Sequence, residues 1–244
     1  MMSEFKILTF DELSKELDKY TFKQLHIHHT WKPAHSSFTG KNHIQLQQSM
    51  KNHHVKNNGW ADIGQHLTLF PDGAWVTGRP FNMPPASISG WNTGALAVEM
   101  VGNFDLPGTG EYNNLGYDKL EGKQKEEILK LIRYFIDKYG EKSIVFHREG
   151  PKVTKTCPGT SLNKQELINE AKLLGKEGLN MGSVFKDVDD NRWSAAYIKA
   201  AKELDIIAGN PDGTFNPTGN LTREQAAVLM VRLYEKITGK KVVK

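Results

Sequence analysis

Apolar and polar residues follow two different periods along the first 175 residues, and each period predicts its own type of element. A helical period starts at Thr9, where Glu12 completes the spacing of a capping box, and it returns at 42–58, at 128–139 and after Asn163. Short alternating or continuous apolar segments, typical of strands, lie at 24–30, 64–70, 74–77, 95–101 and 143–147. Because strands and helices interleave, the sequence predicts an α/β domain at residues 1–175, with a mixed central sheet flanked by helices.

The pattern changes after residue 175. Residues 176–183 are glycine-rich and have no periodic apolar positions, so they are expected to form a linker. Residues 184–244 predict a small helical module, with one helix from Trp193 to Leu204 and another that begins at a capping box of Thr222 and Gln225. The second helix is expected to turn five apolar residues inward: Ala226, Leu229, Met230, Leu233 and Ile237. A module of this size is marginally stable alone, so we expect it to depend on the main domain or on copies of itself.

Composition narrows the classes of protein. The chain has 244 residues, of which 38% are hydrophobic and 25% charged, as in ordinary globular proteins. Its net charge of +4 is dispersed, which does not favour nucleic acid and suits an anionic surface such as a bacterial wall. No segment has the roughly 18 apolar residues of a membrane span, and the first residues lack the apolar core of a secretory signal. We therefore expect synthesis in the cytoplasm without a signal peptide, no membrane insertion, and action at the wall after release.

Candidate metal ligands occur in two segments that are remote in sequence, at 26–29 and at 147–157. Imidazole nitrogen and cysteine thiolate are preferred ligands of zinc, and a catalytic zinc site keeps three protein ligands with one open position. Strand alternation places His28 on the same face as His26, with His29 on the opposite face. The single cysteine, Cys157, is either a small buried apolar residue or a ligand, and its polar loop favours a ligand. The sequence therefore predicts a zinc hydrolase that draws on both segments.

Two charged residues stand out beside these candidates. Glu99 interrupts the apolar strand 95–101, where a buried carboxylate is costly without a partner. Either an arginine such as Arg79 or Arg148 pairs with it, or the strand has one wet face, or burial raises its pKa so that it acts as a proton carrier. Lys155 is either a solvated loop residue or a cation that stabilises a developing oxyanion.

Four segments carry a family resemblance: IHHT (27–30), GWADIGQHLTLFPDG (59–73), GWNTGALAVEMVG (90–102) and HREGPKVTKTCP (147–158). Together they resemble the type 2 N-acetylmuramoyl-L-alanine amidases, a zinc family that includes phage endolysins and peptidoglycan recognition proteins. The resemblance implies that His28, His147 and Cys157 bind Zn²⁺, that Lys155 lies by the scissile carbonyl, and that Glu99 is the catalytic acid–base residue. The family cleaves the amide between the lactyl group of N-acetylmuramic acid and the L-alanine of the stem peptide.

The chain departs from this family at Gln65, where many relatives carry a tyrosine, and this leaves Glu99 with more of the proton transfer. Relatives also often have a histidine in the loop before Gly90, which is absent here. Trp91 and Asn92 match the family and are expected to bind substrate, with a sugar stacked on the indole or with Trp91 only packing the loop. The alternative function is peptidoglycan binding without catalysis, and Cys157 is the residue that discriminates, because non-catalytic members lose it.

The C-terminal module resembles an S-layer homology domain at 185–188, Trp193, 207–215 and 221–225. That family anchors proteins to secondary cell-wall polysaccharide in Gram-positive bacteria, usually through three tandem copies. Because one copy is present, either chains assemble as a homo-oligomer or binding is weak. Arg223 and Trp193 are expected to bind polysaccharide, although Arg223 could equally be a structural residue at a helix start. A phage or prophage endolysin is the expected identity, with a host autolysin as the alternative.

Overall fold

The computed structural model describes residues 5–110, 114–176, 184–189, 192 and 194–242. Contacts between Cα atoms divide the chain into two compact units, Met1–Gly175 and Lys176–Lys244. Most of the expected linker, 177–183, lies outside the described residues. Across the described segments, none of the helices is both long enough and apolar enough to cross a membrane.

The first unit is built on a six-stranded mixed sheet. Its strands are β1 (Ile7–Leu8), β2 (Gln24–His29), β3 (Leu67–Leu69), β4 (Trp75–Thr77), β5 (Ala95–Met100) and β6 (Ile144–Phe146). They lie in the order β1-β4-β3-β5-β2-β6. β2 runs parallel to both β5 and β6, and β3 runs parallel to β5, whereas β4 is antiparallel to β1 and β3. The mixed sheet predicted from the sequence is confirmed.

Four helices accompany this sheet: α1 (Phe10–Leu17), α2 (His43–Lys56), α3 (Gly122–Tyr139) and α4 (Lys164–Lys176). The capping box predicted at the start of α1 is present, because the Thr9 hydroxyl accepts from the Glu12 backbone N–H and the Glu12 carboxylate accepts from the Thr9 N–H. Asn163 caps α4 by accepting hydrogen bonds from the first turn. α2 ends three residues before Gly59, the glycine expected to terminate it.

The core of the first unit lies between the sheet and α3. β5 is central, and its residues Leu96 and Val98 are fully buried, as a continuous apolar run in a parallel sheet requires. α3 contributes its apolar face to the same cluster through Ile128, Leu131, Ile132 and Phe135. This packing fixes the strands whose ends carry the candidate ligands.

The second unit contains α5 (Ala195–Glu203) and α6 (Arg223–Thr238). The predicted capping box of Thr222 and Gln225 opens α6. A small cluster of Phe185, Val188 and Ile198 forms its buried core, with the Phe185 and Phe215 rings 5.3 Å apart.

The expectation that the apolar residues of α6 all face inward is wrong. Met230, Leu233 and Ile237 are 65%, 45% and 76% exposed. The helical period correctly groups residues on one face, but it does not determine whether another element covers that face.

Candidate metal centre and active-site groove

The predicted ligands meet because three parallel strands end at the same edge of the sheet. His28 is the penultimate residue of β2, and His147 follows β6 directly. β2 lies between β5 and β6 and is parallel to both, so the carboxyl ends of all three strands are adjacent. Open α/β sheets bind ligands at this edge, and the loop that follows β6 brings Cys157 to it.

The three side chains form a compact cluster in which one ligand atom from each of His28, His147 and Cys157 lies within 4.8 Å of the others. The two imidazole rings are 4.4 Å apart, and Cys157 Sγ is 3.6 Å from His28 Nδ1. Burial lowers the pKa of both histidines, and neighbouring positive groups lower it further, so both rings are neutral and able to donate a lone pair. Two neutral imidazoles and a thiol are a donor set that suits zinc.

Backbone groups hold the sulfur in place. The backbone N–H of His29 points at Cys157 Sγ from 3.4 Å, and such a donor favours the thiolate form. Arg148, next to His147, donates from its guanidinium to the carbonyl oxygens of Thr156, Gly159 and Leu162 at 3.2, 2.7 and 2.6 Å. One side chain therefore ties the loop that carries Cys157 to the end of β6.

Glu99 and Lys155 lie in the wall of the same groove as the three candidate ligands. Glu99 keeps some solvent contact through the groove, but the protein surrounds it closely, and this desolvation raises its pKa to about 7, although the Lys155 charge opposes the rise. The two arginines considered as structural partners donate to backbone carbonyls instead. The wet-face explanation and the proton-carrier explanation are therefore the ones that agree with the geometry.

The groove has a volume of about 690 Å³ and extends from the metal ligands along α2. Its wall includes several residues that the sequence did not single out: Met50, His53, His54, Trp60 and Ser87. Their signal was weak because the polar and apolar residues of α2 show little periodic separation. Gln65, which stands where many relatives have tyrosine, lines the groove and donates to Thr68 Oγ1 at 3.0 Å.

The predicted substrate-binding pair lies beside the groove's lining. Asn92 Oδ1 accepts from the backbone N–H groups of Ser87 and Ile88 at 3.1 and 2.9 Å, so this side chain shapes the 87–92 loop. Trp91 is half-buried, and neither residue is among those that line the groove. In the second unit Arg223 is the exposed first residue of α6. Trp193 lies outside the described residues.

The mixed sheet with a histidine–histidine–cysteine cluster at its carboxyl edge defines an α/β protein with a candidate metal centre of hydrolase type. The model of the N-acetylmuramoyl-L-alanine amidase family matches residues 18–160, more than half of the chain, and the chain belongs to that family. A second family model, the S-layer homology domain, matches residues 184–227.

Relatives divide between the two units. A cellulosome-anchoring protein of Acetivibrio thermocellus is 39% identical over 71 residues, which are 28% of this chain and 16% of that protein. Peptidoglycan-recognition protein SC1a of Drosophila melanogaster is 26% identical over 118 residues, which are 47% of this chain and 57% of that protein. The chain thus covers less than two thirds of the length of either relative.

Solved structures show the same relationship for the first unit. The amidase LysC from Clostridium intestinale is 24% identical, with 63% of this chain and 87% of that chain covered at a TM-score of 0.47. Drosophila PGRP-LB is 23% identical, with 62% and 82% covered at a TM-score of 0.46.

Proposed function

We propose that the chain is a zinc-dependent peptidoglycan hydrolase that cleaves the amide between the lactyl group of N-acetylmuramic acid and the L-alanine of the stem peptide. The observation that carries this proposal is the cluster of His28, His147 and Cys157 in one groove with Glu99 and Lys155. Membership of the amidase family supports the reaction class. The Cys157 thiol completes the donor set, which favours hydrolysis over binding of peptidoglycan without cleavage.

The chain's own residues divide the work. His28, His147 and Cys157 would hold the ion, with the sulfur oriented by the His29 backbone N–H. When bound, zinc supplies a Lewis acid that polarises the amide carbonyl and lowers the pKa of water. Glu99 takes a proton from the attacking water and delivers it to the departing alanine nitrogen. Lys155 places its ammonium beside the developing oxyanion.

Digestion of purified peptidoglycan tests the reaction. We expect mass spectrometry to find stem peptides with a free L-alanine amino terminus, and glycan strands whose lactyl groups end in a carboxylic acid. Elemental analysis of the protein should find one zinc per chain, and chelation should stop the digestion until zinc is returned. Intact lactyl–alanine bonds after digestion with the zinc-loaded protein would exclude the proposal.

Variants test the assigned residues. Cys157→Ser should lose both zinc and digestion, because the weaker hydroxyl ligand replaces a thiolate. Lys155→Gln should bind zinc and lose about 10²- to 10³-fold in turnover, the effect of removing one oxyanion donor. Lys152→Gln, which removes an exposed lysine from the same loop, is the matched control and should turn over as the wild type does. Equal turnover in the two lysine variants would remove Lys155 from the mechanism.

The second unit is assigned to wall attachment through secondary cell-wall polysaccharide. The S-layer homology match supports this role, and Arg223 offers an exposed guanidinium at the start of α6 for an acidic sugar. Sedimentation with walls that retain or lack the polysaccharide measures it. Arg223→Gln should reduce retention, whereas Lys240→Gln, which removes an equally exposed charge, should not. Unchanged retention of the Arg223 variant would assign this residue to the helix start alone.

Self-association through the second unit is also part of the proposal. The exposed apolar residues of α6 support it, because large exposed apolar patches mark interaction sites. Light scattering should show copies of the chain associating, and Ile237→Ser should shift the equilibrium toward monomer. A monomer at all concentrations would contradict this part.

The phage or prophage origin expected from the sequence stays a prediction. Lysis genes next to the coding sequence would support it, and a chromosomal location among host wall genes would favour the autolysin alternative.

A further inference from the structure

Three residues of β2 form a column on the face of the sheet that leads to the metal centre. Gln24, His26 and His28 are two residues apart, so strand alternation places their side chains on one face. They lie beside Ala95, Ala97 and Glu99 of β5. Ser87, from the loop before β5, reaches across to this column.

Hydrogen bonds connect the column into a continuous chain. Gln24 Oε1 lies 3.1 Å from His26 Nε2, and His26 Nδ1 lies 3.0 Å from Ser87 Oγ. Ser87 Oγ lies 2.6 Å from His28 Nε2. On the other side of the same ring, His28 Nδ1 faces Cys157 Sγ at 3.6 Å. The chain therefore begins at an amide oxygen and ends at a ring nitrogen that faces the metal ligands.

The chemistry of the groups determines where each proton lies. An amide oxygen only accepts, so the proton of His26 is on Nε2. His26 is fully buried between two uncharged partners, which keeps its ring neutral and leaves Nδ1 as an acceptor. Ser87 then donates its single hydroxyl proton to His26 Nδ1, and its oxygen accepts from His28 Nε2–H. The lone pair of His28 is thereby left on Nδ1, the atom that faces Cys157.

We propose that Gln24, His26 and Ser87 are positioning residues that hold His28 in the Nε2–H tautomer and fix its ring, so that Nδ1 is the metal-ligating atom. This inference rests on the proposed function, because it concerns the same metal centre. Outer hydrogen bonds of this type orient ligating histidines and increase their basicity. The reverse proton order would place an N–H of His28 against the sulfur, where it could not bind a metal.

The relay is specific in its residue types. His26 can link Gln24 to Ser87 only because an imidazole has a donor and an acceptor on opposite sides of its ring. Asn92 holds the backbone of Ser87, which gives this loop residue a fixed position relative to the sheet. Ala97, the β5 residue paired with His26, leaves space for the imidazole beside it.

Long-range ¹H–¹⁵N correlation spectra of the metal-free protein measure the tautomers directly. We expect His26 and His28 to carry their protons on Nε2, and the Nε2–H of His28 to exchange slowly with water because Ser87 accepts from it. In Ser87→Ala this N–H should exchange fast, and the His28 ring should show a mixture of tautomers. A proton on Nδ1 of His28 in the wild-type protein would overturn the inference without the use of any variant.

Zinc affinity, measured by competition with a chelator, provides the second readout. Ser87→Ala should bind zinc about 10- to 100-fold more weakly, the usual cost of losing an outer partner of a metal ligand. His26→Phe keeps a flat ring but removes both nitrogens, so it should lose affinity in the same direction. Ser87→Thr retains the hydroxyl and should restore affinity. Ser89→Ala, which changes an exposed serine two residues away on the same loop, is the matched control.

The two proposals fail in different ways. If the wild-type chain binds zinc and cleaves peptidoglycan while Ser87→Ala keeps wild-type zinc affinity and a slowly exchanging His28 N–H, the relay is wrong and the enzyme assignment stands. If the wild-type chain takes up no zinc, the enzyme assignment fails. The tautomer spectra then decide alone whether the hydrogen-bond order is correct.

Discussion

The two units of this protein treat their apolar residues in opposite ways. In the first unit the largest side chains, among them Trp75 and Phe135, are fully buried in one cluster around the sheet. In the second unit the buried cluster has three residues, and α6 exposes Met230, Leu233 and Ile237. A catalytic centre needs side chains held at fixed distances by a rigid support, and the first unit provides it. An exposed apolar face instead indicates a surface that is completed by a partner.

The same contrast applies to polar groups. The candidate ligands of the first unit are fixed by hydrogen bonds from the backbone, from Arg148 and from Ser87. In the second unit Arg223 is exposed at the start of its helix. We infer that hydrolysis depends on preorganisation within the first unit, and that wall attachment depends on a surface of the second unit that ligands or other copies complete.

The largest expected effect separates the two roles. Glu99→Gln keeps the size of the side chain but removes the proton acceptor, so peptidoglycan turnover should fall about 10²- to 10⁴-fold. Zinc content and sedimentation with walls should stay at wild-type levels, because neither depends on this carboxylate. Glu126→Gln, an exposed change on α3, is the control. Wild-type turnover in Glu99→Gln would remove this residue from catalysis.

Truncation of one apolar residue in each unit tests the packing contrast. Phe135→Ala should destabilise the first unit by about 3 to 5 kcal/mol, because it opens a cavity in a fully buried cluster. Ile237→Ala should change the stability of the second unit by less than about 0.5 kcal/mol in dilute solution. Native-state hydrogen exchange, followed separately for each unit, measures both values. Equal costs would mean that α6 is buried in solution and would contradict the proposed partner surface.

Zinc removal should affect one unit only. At a zinc concentration one hundred times the dissociation constant, binding stabilises the protein that holds the ion by about 2.7 kcal/mol. Chelation should therefore increase hydrogen exchange in β2, β5 and β6 and leave α5 and α6 unchanged. Increased exchange in both units would show that the metal stabilises more than its own site.

Acidification should also act mainly on the first unit, through His66. Its Nδ1 accepts from the Ala97 backbone N–H at 3.0 Å, its Nε2 lies 2.8 Å from the Met83 carbonyl oxygen, and burial lowers its pKa to about 4. The unfolded chain takes up this proton near pH 6.5. Stability present above pH 6.5 is therefore lost as the pH falls toward 4, on the order of 1 kcal/mol between pH 6 and pH 5. His66→Gln should reduce this pH dependence, and His53→Gln, an exposed histidine on α2, should retain it. An unchanged slope in His66→Gln would show that other groups are responsible.

Much of the fold could be predicted because it depends on local geometry. Capping boxes at Thr9 and Thr222 involve residues three positions apart, and the apolar run of β5 is bounded by glycines, so both were recognisable from the sequence. The groove wall on α2 was missed, since a helix with polar residues on all sides gives no clear periodic signal. The exposure of α6 was missed because apolar period and burial are different properties.

By itself, the sequence determined which donors are available and which of them share a strand face. His26 and His28 must lie on one side of β2, and a single cysteine must supply any thiolate, because chain geometry and composition leave no alternative. Only the tertiary structure decided that β2, β5 and β6 are parallel neighbours and that Ser87 bridges two histidines. Side-chain alternation is set within a few residues of backbone, whereas strand order and loop position depend on packing between segments that are more than fifty residues apart.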